Sequence, residues 1–226
     1  MRLLLLFLLN CTSSEKKIKI GISPDYPPFE FSEKGILKGF DVDLAYLLEK
    51  KLNKKITFVQ LEFNALIPSL LQGKIDMIIS SLSKTIQREQ SISFSIPYYF
   101  PAFSILIKKI PYNTIGVQIG STMEYFLKQD SHGLSFQKLK ILPNNQVLFQ
   151  ELVNGRIDAL MLEYSQGKTY LKQHPELQLI KLIQKTQGYS IGFKKKFYLE
   201  ESINTILRSE ESVIKKLQQK WFKDEF

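Results

Sequence analysis

Cysteine is almost missing from this chain: Cys11 is the only one in 226 residues, so no disulfide can close within it. The two histidines, His132 and His174, stand far apart in polar, turn-like surroundings, which places them on the surface and excludes a histidine-based metal centre. No cofactor is implied, since there is neither a Gly-rich phosphate loop nor a nucleophile elbow. The longest apolar run is Leu3–Leu9, far short of the roughly 20 residues a membrane-crossing helix needs. Acidic residues are outnumbered 22 to 31 by Lys and Arg, giving a net charge of +9. The lysines, however, come in short groups such as Lys50–Lys51, Lys108–Lys109 and Lys194–Lys196, in separate segments. That pattern describes a solvated surface and excludes a basic nucleic-acid-binding arm.

What is present begins with "MRLLLLFLLNC", a short basic start, an apolar core and then Cys11. This has the form of an export signal, and a Cys directly after the core resembles a bacterial lipoprotein signal, although Asn10 stands where a small residue is usual. Residues 1–17 are accordingly expected to be a lipoprotein-type signal and polar tether, with Cys11 lipidated at the membrane of the cell envelope or periplasm.

From Ile18 the pattern is strand, helix, strand, helix, strand, the signature of an α/β fold. "IKIGIS" reads as a strand and "FEFSEKGILKGF" as a hairpin. Helical spacing then starts at Asp41, the expected N-cap, and runs to Asn53. "ITFV" is a strand, Asn64 is expected to cap a helix that stops at Gly73, and "IDMIIS" is expected to be a buried strand. The pattern restarts at "NTIGVQIGSTMEYFLKQ". The device "GKID" (Gly73–Asp76) returns as "GRID" (Gly155–Asp158), each ahead of an apolar run. The Gly ends a helix in a left-handed turn, the basic residue and Asp cover that turn, and the apolar run enters a sheet. Two lobes, each with its own small α/β core, follow from the repeat. Polar stretches lie beyond each buried strand, "SSLSKTIQR" and "EYS", where open α/β sheets bind ligands.

The segments "IGISPDYPPFEF", "GILKGFDVDLAYLLEKKL", "FNALIPSLLQGKIDMIISSLSKTIQREQSISFSIPYY", "IGVQIGST", "LVNGRIDAL", "GYSIGFKK" and "IKKLQQKWF" resemble, in order and spacing, the bacterial solute-binding proteins of family 3. The resemblance runs from about Ile18 to Phe222. It implies a periplasmic-binding-protein-like fold of two lobes, each a small mixed sheet flanked by helices, joined by two hinge crossovers near Pro101 and Gln187. Residues 18–100 and 187–226 would form the first lobe and 101–186 the second. The implied function is non-enzymatic: hinge closure over a free polar or basic amino acid of the arginine, lysine, histidine or glutamine class, and delivery to an ABC transporter permease. A monomer is expected, with no nucleic-acid partner.

A zwitterion needs donors for its carboxylate, acceptors for its ammonium and walls for its side chain. Arg88 matches the family's carboxylate-binding Arg, and a guanidinium fork fits a carboxylate bidentately. Ser121 and Glu124 have capping-box spacing, and Thr122 matches the family's ligand-contacting Thr. The ammonium falls to Ser81, Ser83 and Glu163, the last standing where relatives commonly carry Asp. Tyr26 and Phe63 match two aromatic walls, while Phe29 and Phe31 read as core. Ser23 replaces an Asp common in cation-binding relatives, so a basic ligand would need Asp25 or Glu30 instead. The alternative is a cyclohexadienyl or prephenate dehydratase on the same fold, with Glu163 as general acid.

Overall fold

The computed structural model describes residues 17–129, 133–183 and 186–222. The expected leader segment with Cys11, and His132, lie outside the described residues. In chain order the first part gives strands β1 (Ile18–Ile22), β2 (Asp25–Tyr26), β3 (Glu30–Glu33) and β4 (Ile36–Lys38), and helix α1 (Phe40–Leu52). Strand β5 (Ile56–Gln60), α2 (Leu66–Leu71), β6 (Met77–Ile78), α3 (Ile86–Glu89) and β7 (Ser93–Phe94) complete it. The middle part holds β8 (Phe103–Ile107), β9 (Thr114–Gln118), α4 (Thr122–Leu127), β10 (Lys138–Leu142), α5 (Asn145–Val153), β11 (Ala159–Glu163), α6 (Tyr164–Gln173) and β12 (Gln178–Lys181). Strand β13 (Gly192–Phe193), α7 (Glu200–Ser209) and α8 (Glu211–Trp221) follow.

Two five-stranded sheets result, ordered β5-β1-β6-β13-β7 and β10-β9-β11-β8-β12, with β2, β3 and β4 in a small third sheet. The two large sheets share one plan. β1 lies between parallel β5 and β6, as β9 lies between parallel β10 and β11. The fourth strand is antiparallel, and each sheet obtains it from chain that has just crossed between lobes: β13 beside β6 and β8 beside β11. The crossings also pair with each other, since Tyr189 N donates to Tyr99 O at 2.7 Å and Tyr98 N to Tyr189 O at 2.9 Å. The Tyr99 and Tyr189 rings stack at 5.8 Å, and Phe29 meets Tyr99 edge-on at 4.9 Å, so the junction is packed with aromatics. α7 and α8 close the first lobe, where Leu207, Ile214 and Phe222 join Leu44 and Leu48 of α1 in one core.

The repeated device acquires a fuller meaning here. Gly73 (φ 76°) and Gly155 (φ 72°) take the left-handed turn. Contrary to expectation, Asp76 and Asp158 do not cover that turn. Each reaches the start of the neighbouring central strand, Asp76 accepting from Lys19 N at 2.8 Å and Asp158 from Thr114 N at 2.9 Å. Ile75 and Ile157, both buried, press on the central strands at glycines. A Cβ on Gly21 would come within 2.3 Å of Ile75 Cδ1, and one on Gly116 within 2.6 Å of Ile157 Cδ1. The device fastens helix end to sheet in both lobes.

Three local expectations change. Asp41 is not an N-cap, because Gly39 holds that position; Asp41 lies within the first turn and points inward, accepting from Ser81 N at 2.6 Å and Tyr98 Oη at 3.0 Å. Asn64 falls inside a 3-10 turn (Phe63–Ala65), and α2 starts after Ala65 without a side-chain cap. The strand in "IDMIIS" is reduced to Met77–Ile78, because the chain turns through Ser81 at a φ of 47°. Two expectations hold: Asn53 ends α1 in the left-handed conformation, and Ser121 caps α4 by accepting from Glu124 N at 3.0 Å. Glu124 reciprocates toward Gly120 N at 2.5 Å, one residue before the cap itself.

Candidate functional site

Carboxyl ends of β1 and β6 from one lobe and of β9 from the other converge on a narrow cavity between the lobes. Tyr26, Phe63, Ser81, Ser83, Arg88, Ser121 and Thr122 all line it. The lobes touch across it, with Ser83 Oγ and Thr122 Oγ1 3.4 Å apart, and Glu163 N donating to Tyr26 Oη at 3.2 Å.

Arg88 belongs to the short helix α3, capped by Thr85 Oγ1, which accepts from Arg88 N at 3.2 Å. Its guanidinium reaches Ser83 O at 2.5 Å and, across the cleft, Gly120 O at 2.9 Å, and lies 5.6 Å from the centre of the Phe63 ring. Loss of hydration pulls its pKa down to about 10, so it remains a cation at neutral pH. No carboxylate among the described residues forms an ion pair with it. Carbonyl oxygens supply only partial charge, so the cation keeps a demand that an anion in the cavity would meet.

Acidic groups gather on the first-lobe side. Glu30 accepts from Ser80 Oγ and Ser81 Oγ, each at 2.9 Å, and Ser80 Oγ in turn accepts from Ser23 N at 2.9 Å. Burial, and next the charge of Asp41, push Glu30 well above the ordinary carboxylate range. Asp41 itself is pushed up to about 7, foremost by burial. Together these carboxyls hold the Ser80–Ser83 loop, whose hydroxyls face the cavity. Asp25 also lines the cavity and is raised to about 6 by burial. It reaches the second lobe, accepting on Oδ2 from Asn145 N at 2.6 Å and Gln118 Nε2 at 3.4 Å.

Glu163 is the expected site residue that the cavity does not include. Its carboxylate turns to the start of α6, where Oε2 accepts from Ser165 N at 2.7 Å and Gln166 N at 3.2 Å. Oε1 faces the crossing, accepting from Ala102 N at 3.4 Å and Tyr99 Oη at 3.5 Å. The extra methylene relative to Asp lets the side chain curl back onto its own helix. His174, expected on the surface, is half-buried against Phe149 and pairs with Glu176 at 2.9 Å. Gln118, Met123, Asn145 and Met161 line the cavity without having been expected there. Gln118 ends β9 and Asn145 follows β10, so the rule that ligands meet the carboxyl ends of strands was the signal that could have found them.

Comparison with known proteins agrees with this architecture. Residues 18–224 match the model of the bacterial extracellular solute-binding proteins, family 3. The arginine-binding extracellular protein ArtP of Bacillus subtilis is 32% identical over 94% of this chain and 89% of its own length. A probable histidine-binding protein of Campylobacter jejuni is 35% identical over 82% of this chain and 75% of its own. A solved ancestral arginine-binding protein bound to glutamine superposes with a TM-score of 0.84 at 31% identity, covering 92% of this chain and 98% of that one. The chain belongs to the family-3 bacterial extracellular solute-binding proteins.

Proposed function

We propose that this family-3 solute-binding protein captures a free polar or basic amino acid between its lobes and delivers it to the permease of an ABC importer. The observation that carries the reading is Arg88, a cation without an acidic partner among the described residues, facing a cavity made by both lobes. The ligand carboxylate takes the guanidinium, helped by Ser121 and Thr122. The ammonium meets Ser81, Ser83 and Glu30, and the side chain runs between Tyr26 and Phe63. Similar proteins named for arginine and histidine, and one holding glutamine, support the polar-to-basic class.

The lobe of residues 18–100 and 187–226 receives the ligand first, and the lobe of 101–186 closes over it about the paired crossings. Closure follows because the ligand's contacts with Ser121 and Thr122 of the second lobe form only when the lobes meet, an arrangement the ligand thereby favours. A dehydratase would need a free acid at Glu163, whose carboxylate is committed to α6 and the crossing. The relatives named above are binding proteins. The protein works as a monomer in the periplasm or cell envelope, tethered through a lipid on Cys11. Metabolic labelling with a radioactive fatty acid should mark the wild type and miss Cys11→Ser.

A thermal-shift screen against the twenty amino acids tests the main reading, since a ligand selective for the folded form raises the melting temperature by mass action. Stabilisation by a polar or basic amino acid, lost in Arg88→Ala, is expected. No shift with any of them would overturn it.

A further inference from the structure

The cavity lining also carries a donor and an acceptor side by side. Asn145, the first residue of the nine-residue helix α5, lines the cavity and is 2% exposed, yet its Nδ2 has no hydrogen-bond partner among the described residues. A buried amide donor left unpaired is costly, so the position fits one that a ligand acceptor completes. Asp25, whose Oδ2 receives the main-chain N–H of that same Asn145, is the acceptor.

Counting lone pairs shows what Asp25 can still take. A carboxylate offers about four acceptor positions, two on each oxygen. Oδ2 already receives Asn145 N and Gln118 Nε2, while among the described residues Oδ1 receives only Ser23 Oγ, at 3.4 Å. One position remains, on Oδ1. A guanidinium fork needs a vacancy on both oxygens to bind bidentately, and it brings no acceptor for Asn145 Nδ2. An ammonium likewise brings donors alone.

We infer that Asn145 and Asp25 form a selectivity pair for an amino acid whose side chain ends in a carboxamide or ureide, its carbonyl oxygen accepting from Asn145 Nδ2 and its N–H donating to Asp25 Oδ1. The inference rests on the amino-acid-capture reading and narrows it to neutral, amide-bearing side chains. It also agrees with local charge: Arg88 is matched by the ligand carboxylate, and no second cation enters beside the α5 N-terminus, whose dipole disfavours one.

Calorimetry with L-citrulline and L-arginine tests the pair, because these ligands are close in size and differ by a carbonyl oxygen in place of a charged nitrogen. L-Glutamine and L-lysine serve as the shorter amide and the simple cation. In the wild type, citrulline or glutamine should bind about tenfold or more tightly than arginine and lysine, the order expected when a buried polar group is left unpaired. Asn145→Leu should remove that preference by weakening the amide ligands at least about fivefold while sparing arginine. Asn145→Asp, which replaces the donor by an acceptor, should reverse it toward arginine. Melting temperatures without ligand confirm that both variants fold. Tighter binding of arginine than citrulline, with a ratio unchanged in both variants, overturns the selectivity pair and leaves amino-acid capture standing. Failure of all four ligands and of the full amino-acid screen overturns capture itself, and the pair with it.

Discussion

The guanidinium of Arg88 donates to the main-chain oxygen of Gly120 at 2.9 Å, so a side chain of one lobe is fastened to the backbone of the other. A ligand carboxylate must compete with that carbonyl and offers a full charge in return. Arg88→Ala should therefore weaken amino-acid binding by roughly 2–5 kcal/mol, the scale for removing one partner of a desolvated charge pair. Arg88→Lys should recover part of the loss, because a point charge cannot reproduce the fork. Titration calorimetry of the three proteins measures both, and unchanged affinity in the alanine variant would remove Arg88 from the site.

Asp25 gives a pH dependence with a definite sign. Its folded-state pKa is raised from 3.8 to about 6, with burial as the first cause. Between those values the folded protein holds more protons than the unfolded chain, so stability is greatest below about pH 4 for this group and declines as pH rises through 6. Asp25→Asn should therefore be more stable than the wild type at pH 7.5, by up to about 3 kcal/mol for a shift of that size. The advantage should vanish near pH 4. Urea unfolding at the two pH values decides it, and a constant difference would argue against the assignment.

Glu163 caps α6 through two main-chain N–H groups. Glu163→Ala should lower stability by about 1–2 kcal/mol, the usual range for losing a cap. Ligand affinity should change much less. Loss of affinity with little loss of stability would instead return Glu163 to the ligand's ammonium.

The two lobes should respond alike to crowding of the repeated device. Gly21→Ala would drive a methyl toward Ile75 Cδ1, and Gly116→Ala toward Ile157 Cδ1. Each should cost about 1–3 kcal/mol, typical of overpacking. Trimming the opposing isoleucine to valine should restore part of that, as a double-mutant cycle would reveal. Additive losses would mean that the pairs do not touch.

Much of this could be read from residue order because it depends on near neighbours. Ser121 and Glu124 cap α4 three residues apart, Asn53 ends α1, and Gly73 and Gly155 turn out of helices that precede them directly. Spacing does not say where a polar side chain aims once several donors are within reach. Asp41 had the sequence context of a cap, but its oxygen is claimed by Ser81 N and Tyr98 Oη, 40 and 57 residues away. Glu163 had the position of a ligand contact and instead satisfies the orphan N–H groups of its own helix.

The sequence by itself determined that there are two α/β halves, where each helix-to-strand fastening lies, and that Arg88 stands with its hydroxyl neighbours beyond a buried strand. Those features follow from hydrophobic period and turn chemistry within contiguous residues. Tertiary structure alone decided that Asn145 and Gln118 face Asp25 from the opposite lobe. Contacts between chain-distant groups are fixed by how the two lobes meet, and the competition of buried donors for few acceptors is settled only after they meet.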